Sequence, residues 1–343
     1  MLWLCMIVTI LLLLFSTEIM FSAQETATVF THSVMPALFP MMVVGSLISR
    51  NPPQSRIRTN IYIKQILFGF LAGSPASTRQ LALVAEQQKV SQNTYRTLLC
   101  MSGVMSPMFF TGVLASRLGR PIAWIILGCH WTAALFSGWL YAGLAIREPS
   151  QQQKTLETHS FQIKQANMTT STIPSPTFAV ALTNAIREAA LAQLSILGAM
   201  MVFSILAAAF REVLLRLFPL WTASHGTVLS VGWSLMEIGG GILSLLEEAP
   251  ATPPWLICGL CSFGGLSIWL QNLLFLDAKT HPAELLGFRT LHGVIAMILC
   301  YFVSRWFSAA PAMAQSTTVL SANGSTLCWF SLLLLIPLAL HQQ

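Results

Sequence analysis

The chain has 343 residues, of which 55% are hydrophobic and only 9% charged, with a mean hydropathy of +0.68. Soluble domains carry about 25% charged residues, so the composition excludes a soluble globular protein and points to a polytopic membrane protein in a lipid bilayer. The net charge of +6 calls for no nucleic-acid partner, because Lys and Arg enriched in cytoplasmic loops give the same excess.

In chain order, residues 1–25 read as a first transmembrane helix with Glu18 near its end. They have no basic n-region and no Ala-x-Ala site, which favours a retained span over a cleaved signal. Residues 26–49 hold Pro36 and Pro40 and should be kinked or split. A basic, Pro-rich turn at 50–59 suits a cytoplasmic face. Then come a broken apolar element (60–87), a helix over 91–117 interrupted at Met105-Ser106-Pro107, and an uninterrupted span from Pro121 to Ile146. Residues 148–176 are polar and read as a linker. The second half brings an apolar helix over 177–210, an element at 224–246 containing Glu237, an acidic Pro-rich turn, a second broken element (255–277) and a helix over 283–306. Residues 307–343 contain a polar loop and a short apolar run, 327–340, below the ~20 residues that cross a bilayer.

Residues 70–98 align without a gap on 263–291. Phe70 falls on Phe263, Ser74 on Ser267, Leu81 on Leu274, and Arg96-Thr97-Leu98 on Arg289-Thr290-Leu291. This reads as an internal duplication. Each copy contains a small-residue break, Ala72-Gly73-Ser74-Pro75 or Gly264-Gly265-Leu266-Ser267. Broken helices at matching places in two halves point to a transporter-like site, because backbone freed in lipid must find protein or water partners. The competing reading is a simple kink or a close helix crossing. Ten spans with the N-terminus inside put Arg50, Arg117, Arg211 and Lys279 on the cytoplasmic side and Lys89, Arg147 and Arg305 outside, and make the two copies antiparallel. The expected fold is therefore all-α, with about ten helices and two inverted repeats, each carrying a broken helix.

Gly73, Ser74 and Pro75 at the first break, and Gly265 and Ser267 at the second, are candidate solute-binding residues, as is Ser106 at the interruption between them. Gln271 and Asn272 align with Thr78 and Arg79 and would add amide donors and acceptors. Arg79 lies one turn past the first break and either faces it or snorkels to the interface. Glu237 lies deep in an apolar segment beside Gly239, Gly240 and Gly241. It reads as a proton or sodium site, as a partner of the solute, or as a structural carboxylate paired with an intramembrane arginine. Arg289, with His292 on the same helix face, is a candidate too, although its match with Arg96 also suits an anchor at the headgroups. His130 reads as a packing histidine. Cys258-x-x-Cys261 lacks a second ligand pair and reads as packing. With one aspartate, no HExxH, no Walker loop and no Gly-x-Ser-x-Gly, an enzyme, a metal centre and a bound cofactor are not expected.

At these motifs the chain resembles the nucleoside-recognition (Gate) domain membrane proteins and, within them, the YlbJ-type sporulation integral membrane proteins. Gly73-Ser74-Pro75-Ala76-Ser77-Thr78-Arg79 occupies the family's Gly-Tyr-Pro-x-Gly-Ala-Lys signature, with Gly, Pro and the basic position kept. Ser106-Pro107-Met108-Phe109 follows its Ser-Pro-x-Phe run. Leu235-Met236-Glu237-Ile238 is similar to its Leu-x-Glu segment, and Phe263-Gly264-Gly265-Leu266-Ser267 and Arg289-Thr290-Leu291-His292 to its Gly-Phe-Gly-Gly-Leu-Ser and Arg-Leu-Leu-His runs. The resemblance covers roughly residues 30–305. It implies Gate-like repeats over 26–147 and 177–306, a multi-pass protein of the cell membrane or the membrane surrounding the forespore, and a role in spore cortex formation. It also implies passage or sensing of a small polar solute, with proton or sodium coupling open. The alternative is a non-transporting scaffold that recruits partners to the membrane.

Overall fold

The structure is a computed structural model that describes residues 2–50, 61–87, 90–145, 177–276 and 280–309. The expected basic turn, polar linker and last apolar run lie largely or wholly outside the described residues. Every regular element within them is helical, and a helix, like a closed barrel, pairs its own backbone groups in lipid. Five helical paths, 16–48, 120–143, 178–217, 254–273 and 282–306, are long and apolar enough to cross a membrane. Over the described residues the fold is all-α, with the long apolar helices of a membrane protein.

α1 (Leu2–Leu14) stops at Phe15, and α2 (Ser16–Val29) runs on through a wider π-wound turn, Phe30–Val34, into α3 (Met35–Arg50). The expected boundary near residue 25 is absent. The polar stretch there is helical, and Thr26 and Thr28 satisfy their hydroxyls within it by donating to the carbonyls of Ser22 and Gln24, one turn back. The prolines distort the path without dividing it. Just before Pro36 the Met35 N–H reaches back five residues to Phe30, as a π turn does.

α4 (Ile61–Ala72) and α5 (Ala76–Gln87) flank the first break, and α6 (Gln92–Ser102) follows, capped by Ser91. α4 and α6 run parallel: the Tyr62 hydroxyl lies 3.4 Å from Thr94 near their starts, and Gly69 packs on Ser102 near their ends. The short connection from Gln87 to Gln92 then obliges α5 to run back towards the start of α4, and the Gln65 amide reaches the Ser77 carbonyl at 2.9 Å across the fold. The expected broken element, counted as a span in the ten-span reading, forms a helical hairpin over residues 61–87. After α6 the chain is non-helical over Gly103–Ser106. It resumes through a π-wound stretch, Phe109–Leu114, into α7 (Ala115–Leu118), and α8 (Arg120–Ala145) returns antiparallel to α6.

α9 (Phe178–Leu217) has 40 residues, a length of about 60 Å. It buries Ala189, Ala192, Ile196 and Ala199 and exposes Leu191, Leu194, Val202 and Phe210, so one face meets protein and an equally apolar one meets lipid. After the short α10 (Pro219–Ser224) come α11 (Gly226–Met236) and α12 (Ile238–Glu248). Ser230 meets Ser244 and Glu248, and Gly241 packs on the Ser234 backbone. These contacts fix an antiparallel pair, so 224–246 is a second hairpin and not the span expected. A hairpin returns the chain to the side it left, which removes the crossing that the ten-span reading used to invert the second half.

α13 (Pro254–Phe263), α14 (Gly265–Leu273) and α15 (Pro282–Ala309) complete the described chain. α13 packs closely on α15, where a Cβ on Gly259 would come within 2.7 Å of Met297. Small residues allow such approach between membrane helices. α8 is the centre of the core, with Ile126, Leu127, Ala133 and Ala134 fully buried and Trp131 stacked on Phe70 at 4.9 Å. Ion pairs mark the two ends of the bundle. Arg117–Glu247 (2.9 Å), Arg211–Glu248 (3.8 Å) and Arg216–Glu18 (3.8 Å) lie at one, and Arg96–Glu284 (3.1 Å) at the other.

Candidate functional site

Three helices stop at one place. α4 ends before Gly73, α6 at Gly103 and α13 at Gly264, and Arg289 of α15 stands among them. Gly73 and Gly264 have φ of 72° and 81°, a left-handed conformation that glycine adopts without a Cβ penalty. A Cβ on Gly73 would also collide with the backbone of Ser106. The first hairpin tip is thereby fitted against the interruption in 103–106, and the Ser74 N–H donates to the Val104 carbonyl. The second break is fitted in the same manner. Gly265, at φ 74°, lies under the second hairpin tip, where a Cβ would come within 3.2–3.3 Å of the Ser234 and Met236 carbonyls and the Ile238 nitrogen.

The breaks are tied together by side chains. Arg289 donates from Nη2 to the Ser74 hydroxyl at 2.9 Å, Ser74 donates to Asn272 Oδ1 at 2.6 Å, and Thr78 donates to the same oxygen at 2.8 Å. Arg289 is 3% exposed, and no carboxylate among the described residues pairs with it. Arg289 stands at the C-terminal ends of α6 and α13, its Nη2 4.0 Å from where a Cβ on Gly103 would lie and its Nη1 3.6 Å from one on Gly264, and a helix C-terminus favours a cation. Buried hydrogen-bonding capacity remains unused: Arg289 Nη1, Asn272 Nδ2 and Ser267 Oγ have no partner. Thr78, Cys100, Gly103, Asn272, Arg289 and His292 line a cavity of the size of a single water.

His130 supports this junction from below. It is fully buried, its Nε2 accepts the Met105 N–H at 3.0 Å, and its Nδ1 therefore donates to Ser262 Oγ at 2.7 Å. It is a satisfied packing histidine that also holds freed backbone at the interruption. His292 lies against it, ring centres 4.7 Å apart, and donates from Nε2 to the His130 carbonyl.

The structure brings Ser74, Asn272, Arg289 and His292 together at the junction, with Gly73 and Pro75 at the first hairpin tip and Gly265 under the second; Ser267 is buried with its hydroxyl unpartnered and does not line the cavity. Ser106 caps the resumed helix by accepting the Met108 N–H, and Gln271 is buried beside Asn272 without lining the cavity. Arg79 is not at the break. It spans α3 and α9, donating to Ser46 at 2.7 Å and to Glu188 at 3.2 Å. Glu237 does not reach the junction or an arginine. It caps α12, accepting the N–H groups of Gly239 (2.9 Å) and Gly240 (2.6 Å), and borders a second water-sized cavity with Ser22, Glu25, Thr26, Ser204 and Trp233. The sequence reading passed over Thr78 and Cys100. Thr78 lies one turn after Ser74, and that spacing is the signal that would have found it. Cys258 and Cys261 are fully buried, as packing cysteines are. No family model, curated protein or solved structure matches this chain.

Proposed function

We propose that the chain is a membrane protein of transporter-like build that takes a small polar solute at the junction around Arg289, to move it or to sense it. One observation carries this reading: three interrupted helices end around a buried arginine that has no acidic partner among the described residues, and donors of Arg289 and Asn272 stay unpartnered there. Buried donors are normally satisfied, so such an excess fits a ligand's acceptors.

The element order supports an inverted repeat, in a register other than the one sequence identity suggested. The path α2–α3, the hairpin α4–α5, the broken α6–α7 and the span α8 correspond to α9, the hairpin α11–α12, the broken α13–α14 and α15. Each hairpin tip meets the break of the helix that follows it, and His130 and His292 hold corresponding places. The hairpins enter from opposite ends, as inverted repeats require. A role in endospore cortex formation, in the forespore-surrounding membrane, rests on the family resemblance alone.

A scaffold reading draws on the cavity's size, since a solute larger than water needs the junction to open. Cys100, buried at 5% exposure on the cavity wall, is a native reporter. A membrane-impermeant maleimide, applied to the folded protein in sealed and in opened vesicles, is expected to modify Cys100 slowly from one side, read by peptide mass spectrometry against Cys100→Ala. If Cys100 reacts only after denaturation, the junction does not open and the scaffold reading stands.

A further inference from the structure

We propose that the cavity at Arg289 binds a small monovalent anion, of halide or carboxylate size. The inference rests on the junction being a ligand site and specifies its chemistry. Arg289 supplies a buried positive charge, and its Nη1 and the Asn272 Nδ2 are both unpartnered on the same cavity. The Asn272 oxygen is held away by Ser74 and Thr78, so the amide offers its donor side. A cation would meet two donors and a guanidinium there, and no carboxylate among the described lining residues. Leu99, Leu285 and Phe288 form the rest of the wall, which leaves little water to screen the charge and strengthens an ion pair. Chloride is slightly larger than the water-sized cavity, so it enters, as one carboxylate group of a solute does, when the helices part.

The full chain in detergent is to be unfolded thermally in potassium chloride and in potassium isethionate, a bulky anion without a carboxylate, at equal ionic strength, followed by tryptophan fluorescence. Chloride is expected to raise the midpoint in a saturable manner, since a ligand of the folded state stabilises it. Arg289→Gln should weaken the chloride response about 10- to 100-fold, the range for losing a charged hydrogen bond. Asn272→Asp supplies a carboxylate at the site. It should abolish the chloride response and raise the midpoint in isethionate, which keeps a test available if Arg289→Gln fails to fold. Formate matching chloride extends the site to carboxylate solutes, and formate without effect confines it to halides; both support the proposal. Equal midpoints in chloride and isethionate, or a chloride response undiminished in both variants, overturn it. Cys100 labelling is independent of either result, so a junction that opens without binding anions is told apart from one that never opens.

Discussion

A carboxylate buried in an apolar segment is stable where its oxygens are matched, and Glu237 finds its match in backbone freed by the hairpin turn. Two N–H groups of α12 point at it, 2.9 and 2.6 Å away, which is the reciprocal of a helix start that must satisfy its first donors. Glu237→Ala is expected to cost about 1–2 kcal/mol, measured by denaturant unfolding in mixed micelles, while Glu237→Gln, which keeps one acceptor, costs less. Both should leave Cys100 labelling unchanged. If Glu237→Gln keeps full stability but alters that labelling, Glu237 is coupled to the site and capping is not its main role. At this scale the sequence revealed which residue types were costly in lipid but not their depth. Arg96 and Arg289 share an Arg-Thr-Leu triplet, yet Arg96 stands one turn into α6 and pairs with Glu284, while Arg289 stands two turns into α15 and is buried. One further helical turn, about 5 Å, separates an anchor at the end of the bundle from a charge at its centre.

Hairpins and spans differ in whether an apolar stretch turns back, and that decision rests on close backbone contact. Gly241 is such a point, because a Cβ there would collide with the Ser234 backbone across the hairpin. Gly241→Ala should therefore open the α11–α12 pair and destabilise by at least ~2 kcal/mol, as overpacking does. Gly198→Ala, in α9 with nothing within 4 Å of the added methyl, should stabilise by up to about 1 kcal/mol through helix propensity. The fraction of monodisperse protein surviving a heating series in size-exclusion chromatography compares them, and equal survival would contradict the close packing. The breaks at Gly73-Ser74-Pro75, at Met105-Ser106-Pro107 and at Gly264-Gly265 were legible because Gly and Pro punctuate a helix. The turn at Glu237 was not, since it has no proline and its glycines fall inside α12. Two apolar arms of 11 residues each also read as one span when hydropathy is all that is seen.

At the scale of the whole molecule, the two hairpins decide which ends of the bundle share a face. Arg96–Glu284 ties the start of α6 to the start of α15, whereas Arg117–Glu247 and Arg211–Glu248 tie the ends of α7 and α9 to the end of α12. Ser91, Thr177 and His281 should then lie on one face of the membrane, and Gly119, Ser224 and Ala251 on the other. Ten successive spans would exchange two of these, placing Ala251 with Ser91 and His281 with Gly119. Single cysteines at the six exposed positions, in a chain whose native cysteines are replaced by alanine and treated in intact cells with an impermeant reagent, separate the arrangements. Labelling of His281→Cys together with Ser91→Cys, and of Ala251→Cys together with Gly119→Cys, supports two hairpins entering from opposite sides. The exchanged pattern would mean that 224–246 crosses the membrane. The second hairpin tip could not then rest on Gly265, and the junction at Arg289 would lose one of the elements that close it.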